Sequence, residues 1–95
     1  MTRDDFLQSL KGDAPPPSAG LVLQALWYER KGDWHTAHAR AQAQEDASGS
    51  WVHAYLHRVE GDLSNAAYWY RRAGKPEAKT SIAEEWESLV SALTE

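Results

Sequence analysis

Four histidines have the most distinctive spacing of any chemistry-bearing residues in this chain. They form two pairs, His35 with His38 and His53 with His57. Spacings of three and four residues place each pair on one face of a helix, which is a geometry that metal ligands use. If the two helices packed side by side, the four imidazoles would converge. A histidine-based site for a metal ion or a small molecule is therefore one hypothesis for this sequence.

The histidines also have a purely structural interpretation. Between His53 and His57, Ala54 stands where the zinc-protease motif has its glutamate, so the general base of that class is missing. His57 lies in register with Tyr28 in an internal repeat, where a flat, half-polar ring would pack between helices. On this interpretation the protein binds no cofactor. Under the alternative hypothesis, the four histidines are the candidate metal ligands.

Other catalytic patterns are missing from the sequence. The chain has no cysteine, which excludes disulfide scaffolds, thiolate metal sites and cysteine nucleophiles. No serine stands in a Gly-x-Ser-x-Gly turn, and no glycine-rich loop follows a strand. Asp33 and Asp62 already fit as helix caps. The sequence favours a protein without catalytic chemistry. The alternative is that the histidines bind a metal ion or a small molecule and, in the extreme case, that the protein is an enzyme.

The composition predicts one small domain with an unusual core. Leu, Ile, Val and Phe make up only 15 of the 95 residues, so five Trp and four Tyr must supply the bulk that packs against alanines. A pI near 5.5 argues against binding to nucleic acid. Apolar runs are too short to span a membrane, and the N-terminus lacks the features of a secretion signal, so a cytoplasmic protein is expected.

The elements that must position these residues are all expected to be helices. Residues 3–11 form an N-terminal arm and residues 12–17 a proline-rich linker, leaving residues 18–95 as a single helical domain. Ser18 is the expected N-cap of the first helix of that domain, and Ser81 opens the last one in a capping box with Glu84. The expected helices cover residues 18–31, 33–45, 51–60, 62–73 and a final segment from 81, with 46–50 as a link.

Two Gly-Asp pairs mark the sharpest turns along the chain. Gly32-Asp33 and Gly61-Asp62 each end one helical pattern and begin the next, since glycine closes a helix and aspartate caps the following one. A shift of 29 residues superposes the first Gly-Asp pair on the second. It also superposes one alanine that precedes each pair and one alanine that follows it. The matching positions are those where a tight helical hairpin needs a turn, a cap or a small side chain.

Residues 61–73 resemble the second half of a tetratricopeptide or Sel1-type repeat. The Gly61-Asp62 turn, the small Ala66, the aromatic Tyr70 and the small Ala73 fall where that motif places them. The resemblance covers residues 20–74 approximately. The segment from Val52 to Gly74 also resembles part of a group of short uncharacterised bacterial proteins, a likeness that implies no activity.

The repeat resemblance implies an all-α fold made of two antiparallel helical hairpins, a fragment of an α-solenoid, closed by the C-terminal helix and the N-terminal arm. It also implies a protein-interaction or scaffold module that binds an unidentified protein partner or forms a homo-oligomer. In such repeats the first helix of each hairpin carries the partner contacts. By register the partner-binding residues are Leu26, Glu29, Arg30, Trp51, Tyr55 and Arg58.

A second candidate surface lies on the helix over residues 62–73. With Ala66 and Tyr70 facing the core, Trp69 and Arg72 fall on the flank of the helix. An exposed tryptophan beside an arginine is typical of the residues that dominate protein interfaces. The alternative is structural: Trp69 would seal against the acidic last helix, and Arg71 or Arg72 would pair with its glutamates.

Overall fold

The computed structural model describes residues 1–95 as six helices without any strand, which confirms the all-α class. Short turns join α2 to α3 and α4 to α5, and within each of these pairs the two helices pack on each other as a hairpin. Helix α6 packs against α2 and α4. The helices are α1 Arg3–Ser9, α2 Leu21–Arg30, α3 Trp34–Gln42, α4 Ala47–Glu60, α5 Leu63–Ala73 and α6 Ile82–Leu93.

Both Gly-Asp pairs form the turns that the sequence predicts. Gly32 and Gly61 have φ angles of 90° and 89°, the left-handed conformation that glycine adopts without steric cost. The side chain of Asp33 accepts a hydrogen bond from the amide of α3 at Thr36, and Asp62 caps α5 in the same way. The capping box of α6 between Ser81 and Glu84 is also present.

The predicted start of the first long helix is wrong by two residues. The amide of Ala19 donates to the carbonyl oxygen of Pro16 at 3.0 Å, so Ser18 lies inside a turn. Gly20 is the N-cap of α2, with extended backbone and no side-chain cap. The turn that follows the prolines therefore takes the place that Ser18 was expected to hold.

The predicted link over residues 46–50 is also wrong. The side chain of Asp46 accepts a 2.9 Å hydrogen bond from the amide of Gly49, so Asp46 is an N-cap and the next residues form the first turn of α4. This turn runs against the preceding connection: a Cβ built on Gly49 would lie 1.8 Å from the carbonyl oxygen of Gln44. The small residues of this segment permit close backbone approach inside a helix.

One main core is shared by α2, α3, α4, α6 and the N-terminal arm, and α5 packs on α4 through a second, small cluster of Ala54, Ala66 and Tyr70. Phe6 of α1 is fully buried, and its ring centroid lies 6.1 Å from that of Trp86 in α6. Nε1 of Trp27 donates to the carbonyl oxygen of Ser9, and Nζ of Lys31 donates to that of Leu10, so α2 also holds the end of the arm. None of the helices combines the length and apolar character needed to cross a membrane.

Candidate functional site

The six positions that the repeat register selects surround one face of α2 and α4, which we call the repeat groove. The chain's own α6 occupies this face. Leu26 is fully buried and Tyr55 is 1% exposed. Nε1 of Trp86 donates a 3.1 Å hydrogen bond to the carbonyl oxygen of Leu26, and the guanidinium of Arg30 lies 3.7 Å from the centre of the Trp86 ring.

The polar residues of the repeat groove are paired within the chain. The hydroxyl of Tyr55 donates to Oε1 of Glu29 at 2.7 Å, and burial is the main reason that the pKa of Glu29 is raised. Burial and this hydrogen bond also raise the pKa of Tyr55. Arg58 donates to Oε1 of Glu85 at 2.8 Å. These groups therefore satisfy one another and leave few free donors for a partner.

Glu85 is the residue of this network that sequence reasoning missed. It is 4% exposed and accepts hydrogen bonds from Arg58 and from the hydroxyl of Tyr70. The sequence places it in the first turn of α6, where glutamate has an ordinary role at a helix N-terminus. Trp51, the last of the six, is half-buried beneath Lys75, whose Nζ lies 4.4 Å from the centre of its ring.

The second predicted surface lies on α5 and stays open. We call Tyr68, Trp69 and Arg72 the aromatic–arginine patch. Tyr68 is 40% exposed, Trp69 is half-buried and Arg72 is exposed. The guanidinium of Arg72 lies 5.1 Å from the centre of the Trp69 ring and 5.8 Å from that of Tyr68, and its Nη1 donates to the Tyr68 hydroxyl.

The structural alternative for this surface named the wrong partners. Trp69 stacks on His53 of α4, with ring centroids 3.9 Å apart, and packs against the small buried cluster of Ala54, Ala66 and Tyr70. Neither Arg71 nor Arg72 belongs to any of the four ion pairs of the chain, and it is Arg58 that pairs with Glu85. The two arginines at the end of α5 thus have no carboxylate of the chain within ion-pairing distance, although Glu45 lines the same cleft as Arg72.

A polar cleft of about 410 Å³ opens beside the aromatic–arginine patch. It lies between the end of α3, the start of α4 and the outer part of α5. Its walls include Gln42, Glu45, Ser50, His53, Trp69 and Arg72. The cleft joins the exposed patch to one of the histidines.

Three of the four histidines meet, and we call His38, His53 and His57 the histidine cluster. One ring nitrogen from each lies within 4.8 Å of the other two, and Nε2 of His38 is 2.9 Å from Nε2 of His53. His35, by contrast, is exposed and lies outside the cluster. The structure therefore brings together the second predicted pair and one member of the first.

Tryptophan rings enclose the histidine cluster on both sides. Trp34 stacks on His38 with centroids 4.9 Å apart, and Trp69 stacks on His53 from the opposite side. Burial, followed by the charges of His38 and His57, lowers the pKa of His53 from 6.5 to about 4. Burial is also the main cause of the lowered pKa of His38. Both imidazoles are therefore neutral at neutral pH.

Comparisons with protein-family models, with curated proteins and with solved structures find no match to this chain.

Proposed function

We propose that this protein is a small binding module that docks an acidic segment of a partner protein on the aromatic–arginine patch. The observation that carries this proposal is the environment of Arg72. Its guanidinium is exposed, contacts two aromatic rings and has no carboxylate partner in the chain. Arginine, tyrosine and tryptophan are the residue types that contribute most binding energy at protein interfaces.

The charge around the patch selects an acidic partner. Arg71, Arg72 and Lys75 lie in the last turn of α5 or directly after it, and none of them takes part in an ion pair. A guanidinium binds a carboxylate through two parallel hydrogen bonds, and this geometry fixes the orientation of a partner as well as attracting it. The resemblance to interaction repeats supports a binding role of the same general kind.

The filled repeat groove argues for the patch over the groove. A partner that used Leu26 or Tyr55 would first have to open the main core, because both residues are buried in the cluster to which α6 contributes Trp86. Docking on α5 requires no such rearrangement. A second copy of this chain is one partner with the required charge, since residues 76–95 carry the whole net charge of −4.

The test begins with capture of the partner and ends with a purified pair. A photo-crosslinking side chain replaces Tyr68 in the native host, the captured protein is identified, and its affinity is then measured with purified proteins. We expect Arg72→Ala to weaken binding about tenfold or more, while Lys11→Ala, a matched loss of one exposed positive charge, leaves it unchanged.

Two further results separate the patch from the repeat groove. Because the contact is electrostatic, affinity should fall as salt is raised. Tyr55→Phe removes the hydrogen bond to Glu29 but keeps the ring, and it should not alter the affinity. Unchanged binding in Arg72→Ala, or a loss of binding in Tyr55→Phe with the fold intact, would refute the proposal.

A further inference from the structure

The histidine cluster has a feature that the binding of an acidic segment does not use. Its three imidazoles come from two helices, with His38 on α3 and the other two on successive turns of α4. Two of them, His53 and His57, are buried, and His38 is half-buried. Three convergent imidazoles are the protein ligand set of many zinc sites, with a fourth position left for water or another ligand.

The distances fit a metal ion after small side-chain rotations. Tetrahedral coordination with zinc–nitrogen bonds of about 2.0–2.1 Å requires ligand nitrogens about 3.3 Å apart. The Nε2 atoms of His38 and His53 are 2.9 Å apart, and all three ligand nitrogens lie within 4.8 Å of one another. A few tenths of an ångström of separation between the first two rings and a modest approach by the third would complete the set.

The Nε2 atoms of His38 and His53 also face each other across a hydrogen bond. Because one nitrogen must donate and the other accept, this contact needs one proton between the two rings at that place. A divalent ion can take the position of that shared proton when the donating ring moves its proton to Nδ1, because the accepting ring already presents the lone pair of its Nε2. Metal binding requires each imidazole in its neutral form.

Glu60 supplies the outer hydrogen bond that metal-ligating histidines usually have. Nδ1 of His57 and Oε1 of Glu60 are 2.7 Å apart. A carboxylate bound to one ring nitrogen fixes the tautomer, so the other nitrogen, Nε2, keeps its lone pair for a metal ion. Glu60 is 38% exposed and lies one turn beyond His57, so the helix itself sets this pairing.

We propose that His38, His53 and His57 form a binding site for a divalent transition-metal ion of the zinc class, positioned through Glu60. Imidazole ligands suit zinc, copper, nickel and cobalt and do not suit magnesium or calcium. This proposal does not rest on partner docking at α5. Trp69 nevertheless links the two sites, because it belongs to the aromatic–arginine patch and its ring stacks on His53.

The test uses the untagged, full-length protein freed of metal by a chelator. Cobalt(II) is added at neutral pH, its visible absorption bands are recorded, and zinc is then added to displace it. We expect saturation at one equivalent, with the intense bands of a four-coordinate site. Glu60→Gln should weaken the affinity about tenfold or more, because loss of an outer-shell carboxylate has this effect. His53→Ala/His57→Ala should abolish saturable binding.

His35→Ala is the matched control, since it removes an exposed histidine of α3 that lies outside the cluster. It should leave the affinity unchanged. If the double variant fails to fold by circular dichroism, imidazole nitrogen resonances of the wild-type protein decide: zinc should shift those of the three clustered histidines and not those of His35. Absence of stoichiometric binding by the wild type, or equal loss of affinity in His35→Ala, would overturn the site.

Discussion

The hydroxyl of Tyr70 donates a 2.5 Å hydrogen bond to Oε2 of Glu85, and this bond joins the last helix of the second hairpin to α6. The other carboxylate oxygen of Glu85 accepts from Arg58 of α4. Burial, together with this bond, raises the pKa of Tyr70. A single buried carboxylate thus ties three helices together on the face where the repeat resemblance places a partner.

Glu85→Ala should destabilise the fold strongly. Removal of the carboxylate leaves the guanidinium of Arg58 and the hydroxyl of Tyr70 without their partner, and breaking a buried pair in this way costs about 3 kcal/mol or more. Glu87→Ala on the same helix is the control. Glu87 pairs with Arg3, and because the two side chains are 47% and 45% exposed, this ion pair contributes less than about 1 kcal/mol. Urea denaturation measures both. Equal losses would contradict the network.

Gly49→Ala should be far more damaging than Gly12→Ala. The new Cβ would lie 1.8 Å from the backbone oxygen of Gln44 and 2.8 Å from its carbonyl carbon, so the α3–α4 connection would have to move. We expect a loss of about 2 kcal/mol or more in the free energy of unfolding. Gly12→Ala, whose nearest atom is 3.5 Å away, should change it by less than about 0.5 kcal/mol. Comparable losses in the two variants would show that the close approach is absent.

Deletion of residues 77–95 should abolish cooperative unfolding. Helix α6 supplies Trp86, Leu89 and Val90 to the main core, each with at most 1% exposure. Their removal would uncover the fully buried rings and side chains of α1, α2 and α4, which two hairpins cannot cover by themselves. Circular dichroism during heating gives the readout, with Ile82→Ala as a control at a position that is 41% exposed. A truncated chain that melted like the full one would contradict this architecture.

Most of the local turns and caps of the fold were predictable from the sequence, and the contacts between distant elements were not. The two Gly-Asp turns and the Ser81 capping box depend on residues within four positions of each other, so their residue types suffice. The segment from Asp46 to Ser50 has the composition of a loop. It is nevertheless the first turn of α4, because the side chain of Asp46 caps the amide of Gly49, and Gly49 leaves room for the backbone of Gln44.

The candidate site divides in the same way. Helical spacing correctly predicts that His53 and His57 share a face, because both lie on α4. Whether His35 or His38 joins them depends on how α3 turns against α4, and this is a tertiary property. The repeat register likewise could not predict that Tyr55 would be buried in the core that α6 completes, because the resemblance ends before α6 begins.

The histidine cluster should make stability fall with acid. The pKa of His53 is about 4 in the folded chain against an ordinary value of 6.5, so the unfolded chain binds a proton that the folded chain does not. The contribution of neutral His53 to the free energy of unfolding is therefore fully present above about pH 6.5, and it is lost as the pH falls towards 4. His53→Phe keeps a ring against Trp69 but removes the titration, so it should flatten this part of the curve.

Urea unfolding at several pH values measures the effect, and His35→Ala is again the control. His35 is exposed, so its removal should leave the slope of the wild type intact. A wild-type protein whose unfolding free energy did not change across this range, or a His53→Phe variant with the full slope, would contradict burial of a neutral imidazole at this position.

The central claim is that the aromatic–arginine patch on α5, and not the repeat groove, receives the partner. Chemical-shift mapping of the labelled protein with an acidic segment of the captured partner tests this most directly. We predict that the Nε resonance of Arg72 and the indole resonance of Trp69 shift strongly. The indole resonance of Trp86, whose Nε1 donates to the carbonyl oxygen of Leu26, should stay unchanged. Shifts centred on Trp51, Tyr55 and Arg58, accompanied by release of the Trp86 indole, would contradict the claim.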